Sequence, residues 1–176
     1  MQEKITLGGG CFWCLEATFK QVKGVISVIS GYADGQIENP SYEQICTGTT
    51  GHAEVVQISF DNAIVDSQSL LIIFFATHDP TTLNRQGNDS GTQYRSIILA
   101  DNAEQLAYAE QMITELEANA RYGAPIVTQV KMMTRFYKAE QYHQDYFQLN
   151  PNSGYCQAII APKLQKLTHD YASYFK

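Results

Sequence analysis

No stretch of this chain stays apolar for the roughly 20 residues that a membrane-spanning helix requires. The opening residues, MQEKITLGGG, also lack the basic leader and apolar segment of a signal peptide. A reducing, cytoplasmic setting is therefore expected, and in that setting the four cysteines (Cys11, Cys14, Cys46 and Cys156) do not read as structural disulfides. Basic residues are scarce as well. Twelve Lys and Arg stand against 18 Asp and Glu, a net charge of -6, which argues against nucleic acid or an anionic membrane as the main partner. There is no internal repeat, low-complexity tract or clear linker, so the 176 residues read as one domain with chain enough for a substantial core.

What is present is a folded-protein composition, 44% hydrophobic and 17% charged, with 11 tyrosines that suit both cores and binding clefts. Residues 4–7 alternate and predict a short strand that breaks on Gly8-Gly9-Gly10. Apolar residues at 12, 15, 19 and 22 then follow helical spacing, which places Cys11 at a helix N-terminus. Residues 25–30, 55–60, 97–100 and 126–131 predict strands, the last opened by Pro125. Helices are predicted at 67–78, capped by Asp66 or Ser67, at 102–122, stopped by Gly123, and at the tyrosine-rich 138–148. Two segments, 31–54 and 79–96, predict loops far longer than ordinary connections, and are expected to wall an active site. The order predicts an α+β fold, a mixed or antiparallel sheet with helices packed on it. Within it, residues 1–149 form the α+β body and 150–176 an irregular C-terminal tail opening with NPNSGYC.

The stretch GGGCFWCLEATF (8–19) is where chemistry concentrates. Cys-x-x-Cys with two bulky rings between the thiols admits three readings. A four-thiolate zinc site, in an interaction module, pairs two such knuckles, and here Cys46 and Cys156 stand alone. A thioredoxin-like dithiol of Cys11 and Cys14 fits the strand-to-helix position, where the helix dipole favours a thiolate. A lone activated Cys11 beside an aromatic receptacle fits the glycines, which allow close approach. A cysteine hydrolase would take its base from His52, His78, His143 or His169, but no local signature supports one.

Four islands in order decide between them: GGGCFWCLE, NPSYEQICTGTTGHAE, HDPTTLNRQGNDSGTQYRS and FYKAEQYHQDYFQLNPNSGYC. Together, across residues 8 to 156, they resemble the peptide methionine sulfoxide reductase A family, which is specific for the S epimer. The resemblance implies a ferredoxin-like α/β sandwich and no metal or bound cofactor. It implies Cys11 as the nucleophile, oxidised to a sulfenic acid, and Phe12 and Trp13 as rings around the substrate's S-methyl group. Glu54 matches the proton donor, which burial should keep protonated. Tyr42 and Tyr94 match the phenols that bind the sulfoxide oxygen, and Asp89 the carboxylate that takes the substrate's main-chain N–H.

Many members carry two cysteines in the tail. This chain has one, Cys156, together with Cys14, which other members replace. Cys156 and Cys14 are thus the expected resolving thiols, with Cys156 bonding Cys11 first through a bendable tail. Thioredoxin is the implied reductant, methionine sulfoxide, free or in oxidised proteins, the substrate, and a monomer the expected state. A general thiol-disulfide oxidoreductase using Cys11 and Cys14 is the alternative. The remaining polar candidates read as structural: Gly51 and His52 shape their loop, Glu16 is a solvated helix charge, and Cys46 is a small buried hydrophobe without a role.

Overall fold

The computed structural model describes residues 1–176. Its centre is a sheet built from β1 (Gln2–Gly8), β2 (Val25–Ala33), β3 (Ala53–Asp61) and β6 (Ile97–Ala100), with α1 (Phe12–Lys20) and α3 (Ser67–Thr77) as the crossovers. These strands lie in the order β6-β1-β3-β2, every neighbouring pair antiparallel. That is the split β-α-β arrangement the family resemblance implies. The sandwich label stops there, because the sheet continues at both edges. β7 (Gln129–Met132) adds in parallel to β6, and β8 (Phe136–Lys138) adds antiparallel to β2. The α+β class and mixed sheet follow the sequence.

Strand residues alternate between two buried faces. Val56, Ile58 and Ile98 enter the main core under α1 and α3, with Ile5, Leu7, Phe19, Leu70 and Phe74. Val55, Ile97 and Leu99 enter a smaller cluster on the opposite face, against Met133 and Phe136. Two-sided burial explains why these strands read as continuous apolar runs. The predicted loop 31–54 includes the end of β2 and a one-turn helix, α2 (Tyr42–Cys46), closed by a Ser41–Gln44 capping box. The loop 79–96 folds into a small ribbon, β4 (Arg85–Gln86) with β5 (Asp89–Ser90), followed by a 3-10 turn at Thr92–Tyr94.

Four boundaries differ from the sequence reading. The strand predicted at 126–131 begins only at Gln129, as β7, because the Val127 N–H is taken by the Pro80 carbonyl at 2.8 Å rather than by a neighbouring strand. The helix predicted at 102–122 is α4 (Ala103–Ala118) and ends before Gly123, because Ala120 already takes a left-handed φ of 49°. The tyrosine-rich 138–148 is not one helix but β8, a 3-10 turn and a single turn, α5 (Tyr146–Leu149). Tertiary bonds displace the helical ladder there: the Gln144 amide takes the Ser30 N–H and C=O, and Asp145 turns left-handed at φ 56°. The tail is not irregular throughout. A π-turn (Cys156–Ile160) runs into α6 (Ala161–Asp170), which has Pro162 in its first turn. Leu167 and Phe175 join the main core, and Phe175 bridges to Val22.

α3 is apolar on nearly every side and would not hold its register by amphipathicity, so its start is fixed by Asp66, whose Oδ1 accepts the Ser69 N–H at 2.8 Å. Asp66→Ala is expected to lower stability by about 1 kcal/mol, read as a lower urea midpoint at pH 7. An unchanged midpoint would transfer the start signal to Ser67.

Candidate active site

The turn from β1 into α1 depends on glycine. Gly10 has φ +90°, and a Cβ there would lie 2.8 Å from Cγ of Gln86; a Cβ on Gly9 would lie 2.9 Å from the His78 ring. The Gly10 N–H donates to the Tyr94 carbonyl at 3.2 Å, which ties this turn to the 79–96 segment. His78 is buried and held neutral, its pKa down to about 4 because burial disfavours the cation. It lies between the Phe74 carbonyl and the Ser96 hydroxyl.

Cys11 is the N-cap of α1, with φ -67°, ψ 129° and no side-chain capping bond. The free N–H groups of the first turn are used locally. Phe12 N–H donates to Oε1 of Glu54 at 3.3 Å, and Trp13 N–H faces the Cys11 sulfur. Helix-dipole reasoning predicts a thiolate here, and the surroundings reverse it. Burial pushes the Cys11 thiol well above its ordinary pKa, Glu54 and Cys14 add to the rise, and the Trp13 N–H and Tyr155 hydroxyl offset only part. Cys11 rests as a thiol.

Glu54 enters from the start of β3, opposite Tyr32 on β2. Its side chain is 1% exposed, and Oε2 has no hydrogen-bond partner. Burial raises its pKa to about 8, with Asp89 contributing and the Phe12 N–H opposing. The carboxyl is therefore protonated at neutral pH and has one oxygen uncommitted. A buried polar atom without a partner needs an explanation, and a proton donor awaiting an incoming oxygen supplies one.

Tyr42 opens α2, its N–H donating to Oε2 of Glu140 at 2.8 Å. Tyr94 closes the 3-10 turn. Both phenols are pushed above the ordinary tyrosine range by burial and then by the charge of Glu54, so both remain O–H donors. Asp89 accepts from the Tyr155 hydroxyl at 3.2 Å. Trp13 is pinned by three groups: it stacks on Tyr146 at 3.6 Å between ring centres, meets Tyr155 edge-on at 5.8 Å, and donates Nε1–H to Nδ1 of His143 at 3.1 Å. Phe12 is fully buried against Tyr32 and His143, so Trp13 is the ring that meets solvent.

Cys11, Cys14, Asp89 and Tyr155 line a cleft of about 410 Å³, closed on one side by Lys163 of α6. Cys14 sits 3.8 Å from the Tyr155 hydroxyl; burial raises its thiol pKa and Lys163 offsets part of the rise. Cys156 is fully buried in a cluster with Cys14, Ala17 and Ile160. A larger cavity, about 720 Å³, lies between the ends of α3 and α4 and the side of α6. Of the residues nominated from sequence it holds only His78, and it touches the thiol cleft only at Gln86 and Lys163. No three His, Cys, Asp or Glu side chains are grouped as metal ligands would be.

Two expectations are corrected here. Cys46 is exposed at the end of α2 rather than buried. Glu16 is 2% exposed, and binds the Tyr146 N–H at 3.3 Å and the Ser30 hydroxyl at 3.3 Å. It lies on the inner face of α1, where it fastens the chain that carries Tyr146. His52 does shape its loop: Nδ1 accepts the Gly35 N–H and Nε2 donates to the Ile37 carbonyl. Tyr155, Tyr146 and Glu140, which also stand around the site, were not nominated from sequence, and His143 only as a possible hydrolase base. Adjacency to Cys156 was the available signal for Tyr155. Glu140, His143 and Tyr146 stand in the fourth island, but their contacts are not readable there, since their partners lie about 100 or more positions away.

Residues 3–174 match the family model described as peptide methionine sulfoxide reductase. A Saccharolobus solfataricus protein named peptide methionine sulfoxide reductase MsrA is 57% identical over 164 residues, covering 93% of this chain and 92% of that protein. The crystal structure of reduced Mxr1 from Saccharomyces cerevisiae superposes with a TM-score of 0.80 at 34% identity, covering 88% of this chain and 89% of that one. The structure of the same yeast protein in complex with Trx2 gives a TM-score of 0.57 at 25% identity, over 82% and 84% of the two chains.

Proposed function

The chain belongs to the peptide methionine sulfoxide reductase A family and reduces methionine sulfoxide, and from that premise we propose that it acts on the S epimer through a sulfenic acid on Cys11. The observation that carries this reading is the protonated, half-unpaired carboxyl of Glu54 beside the Cys11 thiol. The sulfoxide oxygen takes the free position at Oε2 and the hydroxyls of Tyr42 and Tyr94. The S-methyl group rests on Trp13 over the buried Phe12, an apolar contact worth about 1 kcal/mol. As Cys11 sulfur attacks the substrate sulfur, Glu54 protonates the sulfoxide oxygen and regains a proton from the thiol. The hydroxyl so formed then passes from the substrate sulfur to the Cys11 sulfur as the S–S bond breaks. A thiol and a sulfoxide thus become a sulfide and a sulfenic acid, the first step of thiol oxidation.

Asp89 receives the substrate's main-chain N–H. Its carboxylate is now engaged by Tyr155, so substrate replaces or shares that bond. Single-turnover reactions with separated epimers test the reading: the S sulfoxide should be consumed with one sulfenic acid on Cys11 and the R epimer left intact. Equal reduction of both epimers, or oxidation at another cysteine first, would refute it.

Regeneration uses Cys14 and Cys156, with residues 150–176 as the segment that brings in the second thiol. Sequence favoured Cys156 as the first partner. Geometry favours Cys14, which shares the cleft with Cys11 on one side and the buried cluster with Cys156 on the other. Cys14 thiol condenses with the Cys11 sulfenic acid to a disulfide and water; Cys156 then attacks Cys14, freeing Cys11. Thioredoxin reduces the resulting disulfide, a role supported by the yeast relative held with Trx2. Peptide mapping of Cys156→Ser after one turnover should find a Cys11–Cys14 bond. A Cys11–Cys156 bond in the unmodified protein, with full thioredoxin-coupled turnover in Cys14→Ser, would reverse the order.

A further inference from the structure

Trp13 donates its indole N–H to Nδ1 of His143 at 3.1 Å. An indole nitrogen is a donor only, so Nδ1 must be the acceptor and the imidazole must be neutral, with its hydrogen on Nε2. Nε2 is itself buried with no partner, and His143 is 1% exposed. The ring is caged by Phe12 at 5.1 Å, Tyr42 at 4.3 Å and Tyr142 at 4.1 Å. Nothing in that aromatic cage itself requires an imidazole. The bond to Trp13 does, because it fixes the rotation of the ring on which substrate capture depends.

We propose that His143 is a positioning residue: its neutral imidazole holds the Trp13 indole in the orientation that receives the substrate's S-methyl group, and a second proton on that ring releases the indole. This rests on the assignment of Trp13 as the substrate ring. With both nitrogens protonated, the indole N–H would point at another N–H, and the bond would become a repulsion. The titratable groups facing the imidazole are Tyr42 on α2, Tyr142 on its own turn, and Glu140. The Glu140 carboxylate is occupied by the Tyr32 hydroxyl and the Tyr42 N–H, both at 2.8 Å. Burial lowers the His143 pKa and Glu140 opposes the drop only in part, so the holding form is the one present at neutral pH.

Trp13 is the sole tryptophan, and its fluorescence therefore reports this contact without background. Three measurements over pH 5 to 8, with circular dichroism to verify the fold, test the idea: Trp13 emission, the KM for the S sulfoxide, and the saturating single-turnover rate. In the unmodified protein, emission and KM should shift together below pH 6.5. His143→Gln, whose amide oxygen accepts the same N–H but does not titrate, should keep the neutral-pH KM and lose both shifts. His143→Phe should raise KM about 5- to 10-fold at every pH, the effect of one net hydrogen bond, with the saturating rate little changed. The proposal is overturned if the acid shift persists in His143→Gln, if emission follows His143 while KM stays flat, or if His143→Phe leaves both untouched. A folded protein whose emission titrates through His143 but which turns over no S sulfoxide would instead remove the reductase reading.

Discussion

Cys11→Ser is expected to abolish sulfoxide reduction, with turnover below detection rather than merely slowed. A hydroxyl at the N-cap of α1 suits the helix, because serine is a preferred capping residue and Cys11 makes no side-chain cap of its own. The variant should therefore fold at least as well as the parent. The loss would be chemical. An alkoxyl oxygen is a poor nucleophile at sulfur and cannot form the sulfenic acid that a second thiol resolves. The resting state adds a sharper expectation. Burial keeps Cys11 a thiol at neutral pH, where Glu54 is itself protonated, so alkylation of the substrate-free protein at neutral pH should be slow for Cys11 and faster for the exposed Cys46. Multi-turnover reduction by Cys11→Ser would eliminate the nucleophile assignment. Rapid alkylation of Cys11 at pH 7 would contradict the protonated resting state.

The central fold was legible because its signals are local. β-branched alternation marked 25–30, and the apolar run at 55–60 and the Gly8–Gly10 break marked the frame into which Cys11 is set. Elements whose conformation is decided by distant partners were not legible. The 138–148 segment has helical spacing and good helix formers, yet Gln144 bonds to the Ser30 backbone 114 positions away and Glu140 bonds to Tyr32 and Tyr42. A buried amide that satisfies main-chain groups of another strand outweighs a weak local preference. The helix at 161–170 is the opposite case. Pro162 in the first turn and Leu164 and Leu167 at helical spacing were readable, but the turn-forming NPNSG before them drew the reading toward an irregular tail.

The site divides in the same way. Cys11, Glu54, Tyr42, Tyr94 and Asp89 stand in motifs, and the fold brings them around one thiol. The protonation of that thiol is not legible in sequence, since a helix terminus is visible there and desolvation is not. For Glu54 burial raises the carboxyl pKa, the direction that the proposed proton-donor role requires. One environment thus keeps both the Glu54 carboxyl and the Cys11 thiol protonated at rest. In the mechanism proposed above, chemistry begins only when the sulfoxide oxygen offers the Glu54 proton a destination.

Glu54→Gln is expected to slow sulfenic-acid formation by roughly 10²-fold or more, since the amide keeps the shape and one donor but has no acidic proton to transfer. In the unmodified protein the single-turnover rate should fall as pH rises through about 8, where Glu54 ionises; the glutamine variant should lack that limb. Stability gives a separate reading with its own sign. The folded-state pKa of about 8 lies above the ordinary carboxyl value of 4.5. Between those values the unfolded chain releases a proton that the folded chain keeps, so unfolding becomes easier as pH rises through the window. At pH 5 the carboxyl is neutral in the folded state and its deficit is small. By pH 8 most of the deficit is present, on the order of a few kcal/mol. Glutamine does not titrate. The stability of Glu54→Gln relative to the unmodified protein should therefore increase between pH 5 and pH 8, measured as the difference of urea midpoints, even while activity is lost. The two effects oppose each other in a way that a surface glutamate would not produce. Midpoints that run parallel across this range would mean that Glu54 is already ionised in the folded protein, and the proton donor would have to be sought in Tyr42 or Tyr94.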